Sequence, residues 1–157
     1  MEIEFLVTAA ESSGELHEMR AVYRPGSPFP PAHLHPHQEE TFRVESGRLE
    51  FELTDGTRPI EAGETLVLPA GTGHRARNPS SDTEAVVLWQ TRPALRSGEF
   101  FAAAYRLARP DLLDQALLAR TFRDEFRPVM RPALLAAVAV PVLALVARLT
   151  GRRLPQV

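Results

Sequence analysis

The sequence has 157 residues, a formal net charge of −2, 44% hydrophobic and 24% charged residues, which is the balance of one folded domain and gives no reason to expect a nucleic-acid partner. It contains no cysteine, so thiol catalysis, zinc–thiolate sites and disulfides are excluded. All 18 basic residues are arginine, so no lysine is present to form a Schiff base.

The chain opens Met1-Glu2-Ile3-Glu4, acidic and without the basic and apolar regions of a secretory leader, so a cytoplasmic protein is expected. Short alternating runs broken by Gly and Pro fill residues 1 to 95 and predict strands. Ile3–Val7 is the first. In His17–Tyr23, Met19, Ala21 and Tyr23 share a face. In Arg48–Leu53, Leu49, Phe51 and Leu53 point inward while Arg48, Glu50 and Glu52 point out. Asp55-Gly56 marks a hairpin. Thr65–Leu68 and Ala85–Trp89 are near-continuous apolar runs, as in strands buried on both faces. Many short strands with turns between them predict a sandwich or barrel.

The period changes after Pro93. Residues 100–108 suit a helix, and Leu113, Ala116, Leu117, Phe122 and Phe126 form a helical stripe over 111–126. Residues 133–147 carry no charge. A helix of that length reaches about 22 Å, short of the ~30 Å hydrocarbon core of a bilayer. Pro141 would kink it. The expectation is a barrel domain over 1–95 and a helical extension over 96–157, packed on the barrel or on a partner copy. A peripheral membrane contact through the last helix is the alternative.

The chemistry gathers in the first region. His33 and His35 stand at i and i+2, so on a strand their imidazoles share a face. Two carboxylates follow, Glu39 and Glu40. Turning Glu40 inward takes Phe42 and Val44 with it and leaves Thr41, Arg43 and Glu45 in water. The opposite register would bury Arg43 and Glu45 unpaired. Glu40 is therefore the inward carboxylate. It differs in parity from His35, so the strand must break between them, and Pro36 is placed to break it. His74 follows the turn Pro69–Gly73 and shares parity with Ala76, while Arg75 and Arg77 take the other face. His37, just after Pro36, is expected at the rim. His17 is expected to be structural. Phe42, Phe51, Leu66, Leu68 and Trp89 are candidates for an apolar pocket wall.

Gly26, His33, His35, Glu40 and Gly47, followed by Gly63, Pro69, Gly71, His74 and Asn78, resemble the two motifs of small single-domain cupins. The one departure is an extra residue between Gly26 and His33. The resemblance implies a mainly β, jelly-roll barrel, here followed by the α-helical extension. It also implies one divalent transition metal ion held by His33, His35, Glu40 and His74. Iron, manganese, nickel, copper, cobalt and zinc all suit such ligands. Four protein ligands leave open positions on an octahedral ion, so a metal-dependent enzyme acting on a small organic molecule is expected, and the resemblance implies the dioxygenase kind, with Glu40 also able to take a proton. An isomerase or cyclase is the rival enzyme. The non-enzymatic alternative is a metal-dependent ligand-binding or sensor module. A homodimer is expected.

Overall fold

Alternation of apolar and polar residues lays down most of the barrel. In the computed structural model, residues 1–107, 110–130 and 133–155 are described. The strands of the first part are β1 (Glu2–Val7), β2 (His17–Tyr23), β3 (His33–Leu34), β4 (Glu39–Ser46), β5 (Arg48–Leu53), β6 (Gly56–Glu61), β7 (Thr65–Leu68), β8 (His74–Arg77) and β9 (Ala85–Arg92). After them come α1 (Ser97–Arg106), α2 (Leu112–Thr121), the short β10 (Arg127–Pro128) and α3 (Ala133–Leu149).

The strands make two five-stranded sheets, ordered β1-β2-β9-β4-β7 and β10-β3-β8-β5-β6. Every pairing described is antiparallel. The mainly β jelly-roll architecture with a helical C-terminal region is thus the one expected. Between the sheets lie Met19, Ala21, Phe42, Val44, Leu49, Phe51, Val87 and their neighbours, all fully or almost fully buried. Phe100, Phe101 and Ala103 of α1, with Leu118 of α2 and Phe122 just beyond it, belong to the same core. β10 pairs with β3, setting Pro128 opposite His33.

Three local expectations need correction. β7 is buried on one face only: Leu66 and Leu68 are inside, while Thr65 and Val67 face solvent. It is an edge strand of its sheet, and no described element covers its outer face. The hairpin between β5 and β6 lies one residue earlier than Asp55-Gly56, because Leu53 pairs with Gly56 and the loop is Thr54-Asp55. The helical stripe over 111–126 holds only to Thr121. The chain then turns, with the Phe126 and Glu125 amides both donating to the Phe122 carbonyl, and this turn carries Phe126 back to the barrel mouth.

Two features tie sequence signals to geometry. Gly47 joins β4 to β5 at φ +74, and a Cβ there would overlap the Glu84 carbonyl oxygen and come within 2.8 Å of the Ala85 Cα. Only glycine suits such a position. Asp111 caps α2: its side chain accepts from the Leu113 and Asp114 amides, and Asp114 returns the bond in a capping box. α3 packs one side on α2, burying Ala144 and Ala147. Its other side exposes Leu135, Val138, Val142, Leu145 and Leu149. Among the described residues, no helix is long and apolar enough to cross a membrane.

Candidate metal centre

The two motifs meet because β3 and β8 are paired with His33 directly opposite His74. β3 ends at Leu34, and Pro36-His37 forms a turn before β4 begins at Glu39. This is the break that parity demanded. It lets His35 and Glu40 both be buried, at 4% and 1% exposure. Glu39 faces solvent. The Gly71 amide donates to the His35 carbonyl at 2.8 Å and fixes the turn after β7 against the histidine pair.

His33, His35 and His74 each offer a ring nitrogen, and these atoms lie within 4.8 Å of one another. The three histidines are positioned to hold a metal ion. His33 Nδ1 lies 3.1 Å from the Pro31 carbonyl and His74 Nδ1 lies 3.0 Å from the Thr72 carbonyl. A Nδ1–H donating to its carbonyl is the usual backbone support for a metal-binding imidazole; it leaves the His33 Nε2 with a free electron pair, whereas the His74 Nε2 is hydrogen-bonded to Glu40 and would give up that proton to an ion. His35 is buried with no hydrogen bond at either ring nitrogen. A buried histidine left in that state is costly, and an ion at the centre would satisfy it.

Glu40 sits beneath the histidines. Its Oε1 is 3.3 Å from His35 Nε2, its Oε2 is 3.1 Å from His74 Nε2, and Trp89 Nε1–H donates to Oε1 at 2.9 Å. Burial alone would raise the carboxyl pKa, but the surrounding histidines and the His74 hydrogen bond outweigh it and pull it down to about 2. Burial also opposes protonation of His74, yet the Glu40 hydrogen bond and charge hold its pKa above the ordinary value. Burial, reinforced by the His74 and His35 charges, pushes His33 down to about 3.

A cavity of about 580 Å³ opens over His33 and His74. Aromatic rings dominate its wall: Tyr23, Phe29, Phe42, Trp89, Phe101 and Phe126. Phe126 stacks on His33 at 5.0 Å. The guanidinium groups of Arg75 and Arg77, on the outer face of β8, sit over the Phe29 ring at 4.8 and 4.6 Å.

Of the expected pocket residues, Phe42 and Trp89 line this cavity, whereas Phe51, Leu66 and Leu68 are core. Their strands place them deeper between the sheets than the mouth. Phe101 and Phe126, from beyond the barrel strands, were not anticipated as lining. Their apolar spacing signalled a buried face without saying what it covers. His37 is exposed, 4.0 Å from Asp124. His17 is buried between Phe5 and Phe101, away from the triad. Asn78 is a clamp: its amide donates to the Tyr23 and Thr83 carbonyls, and its oxygen accepts from the Ser80 amide.

Two antiparallel sheets closed around an inward-facing histidine cluster define a double-stranded β-helix barrel. Residues 19–91, less than half of the chain, match the family described as cupin domain. Among curated proteins, the chain is 37% identical over 73 residues to protein SchB of Streptomyces halstedii, covering 46% of this chain and 51% of SchB. It is 38% identical over 73 residues to the polyketide synthase CurC of Streptomyces cyaneus, covering 46% of each. The chain therefore spans about half the length of these relatives. A conserved protein of Klebsiella pneumoniae with a double-stranded β-helix domain superposes with a TM-score of 0.50 at 21% identity, over 58% of this chain and 70% of that one. At this identity the likeness concerns the fold.

Proposed function

We propose that the protein is a metal-dependent enzyme of the dioxygenase kind, acting on a small, largely apolar organic molecule, with His33, His35, His74 and Glu40 holding one divalent transition metal ion. The observation that carries this reading is the convergence of ring nitrogens of His33, His35 and His74 within 4.8 Å of one another, with the Nδ1 atoms of His33 and His74 tied to carbonyls. Three imidazoles and a carboxylate suit iron(II), manganese, nickel, copper, cobalt or zinc. Bound there, the ion would supply a Lewis acid and a site for dioxygen.

The chain's own residues supply the rest. His33 and His74 line the aromatic cavity, so a ligand entering it meets the histidines. The rings of Phe42, Trp89 and Phe126 exclude water and orient a flat apolar molecule. Trp89 Nε1–H fixes the Glu40 carboxylate. Glu40 is ionised at neutral pH, so it can serve as a ligand. The likeness to the polyketide synthase CurC supports a polyketide-like substrate. The test is anaerobic iron(II) reconstitution followed by oxygen uptake with phenols, flavonols and diketones. Uptake dependent on both iron and one substrate class supports the reading. Full iron loading with no uptake across the panel would leave a binding module in its place.

A further inference from the structure

A second cavity lies under the helices. It measures about 310 Å³ and is bounded by α1, α2, α3 and β10, with Leu118, Val140 and Leu143 in its wall. Gln115 is the one polar side chain among the described residues that line it, and its amide already donates to the Pro110 carbonyl at 3.0 Å. Water entering this space finds too few partners to be held.

This cavity adjoins the metal centre. Pro31, Phe100, Ala104 and Phe126 line both cavities, so the two are divided by a wall one side chain thick. Phe126 stacks on His33 at 5.0 Å and on Phe100 at 5.1 Å. It is only partly buried and lines both spaces. Leu112 and Met130, both exposed, stand at the outer side.

We propose that the cavity under the helices is a tail-binding annex of the metal centre. The ligand then carries an oxygen-bearing head at the histidines and a hydrocarbon tail that passes Phe126 into the annex. A volume of about 310 Å³ is roughly ten times a water molecule's ~30 Å³ share of the liquid, room for a tail of about six to ten carbons. The head's position rests on the metal-dependent reading above; the tail's does not.

Two titrations of the full chain test this. The first uses 1-decanol, which needs no metal. Saturable 1:1 binding is expected, weakened at least tenfold in Ala139→Phe and in Leu143→Phe, each checked for native circular dichroism. No saturable binding, or binding unchanged in both variants, overturns the annex. The second uses 4-alkylcatechols with the zinc-loaded protein. Affinity should rise up to about fourfold per methylene, level off near eight carbons, and lose this length dependence in the two variants while catechol itself still binds. Metal-dependent catechol binding indifferent to tail length overturns the annex alone. Decanol binding without any metal-dependent catechol binding overturns the placement of the head at the histidines and leaves the annex supported.

Discussion

The bond from Trp89 to Glu40 offers a quantitative test of how the site is built. It is a buried N–H donating at 2.9 Å to a carboxylate that is 1% exposed. A hydrogen bond to a charged acceptor contributes about 1.5–3 kcal/mol, and more is lost when the charge is left without its donor. Trp89→Phe removes the donor while keeping an aromatic ring against Phe42 and Phe101. Glu40→Gln removes the charge while keeping the shape. Each single change also alters packing or the His74 contact, so neither alone isolates the bond. The double-mutant cycle does. Urea unfolding of the metal-free single and double variants at pH 7 should give a coupling of about 1.5–3 kcal/mol. A coupling below about 0.5 kcal/mol would refute the claim that Trp89 holds the carboxylate.

Three further outcomes follow from the geometry. Gly47→Ala should destabilise by more than about 2 kcal/mol in urea, since positive φ costs a side chain about 1–2 kcal/mol and the new Cβ also meets the Glu84–Ala85 backbone; unchanged stability would contradict it. Asn78→Ala leaves the buried Tyr23 carbonyl and the partly exposed Thr83 carbonyl without the Asn78 donor, so a loss of about 1–3 kcal/mol is expected, with the metal content of the folded protein unchanged. The metal-free protein should be most stable near pH 6.5. His33 falls from 6.5 unfolded to about 3 folded, so its share is lost as pH drops below 6.5. Glu40 falls from 4.5 to about 2, so its share is lost below 4.5. His74 is raised above 6.5, so its share is full below 6.5 and lost as pH climbs through the folded value. Urea midpoints at pH 5, 6.5 and 8.5 check this, and a steady rise to pH 8.5 would contradict the assignment for His74.

The geometry around the histidines was legible because it is carried by parity. His33 and His35 share a face by spacing alone, the buried cost of Arg43 and Glu45 selects Glu40, and the mismatch between His35 and Glu40 requires the turn at Pro36. Contacts between distant segments leave no such mark. The Trp89 bond spans 49 residues. The two-residue β10 is too short for any periodic signal, yet it brings Phe126 to His33. Gln38, buried and bonded to the Pro93 and Ala94 carbonyls and to Ser97, reads as an ordinary polar loop residue. Thr65–Leu68 misled for a related reason: apolar content shows a strand's preference for burial, and position in the sheet decides whether both faces are covered.

The central claim is that His33, His35, His74 and Glu40 hold one metal ion. Its most direct test is elemental analysis of the purified protein after reconstitution with iron(II) and, separately, zinc. The account predicts about one tightly held ion per chain, absent from the folded double variant His33→Ala/His74→Ala. Stoichiometric metal retained by that variant, or a folded wild-type protein that takes up none, would contradict it.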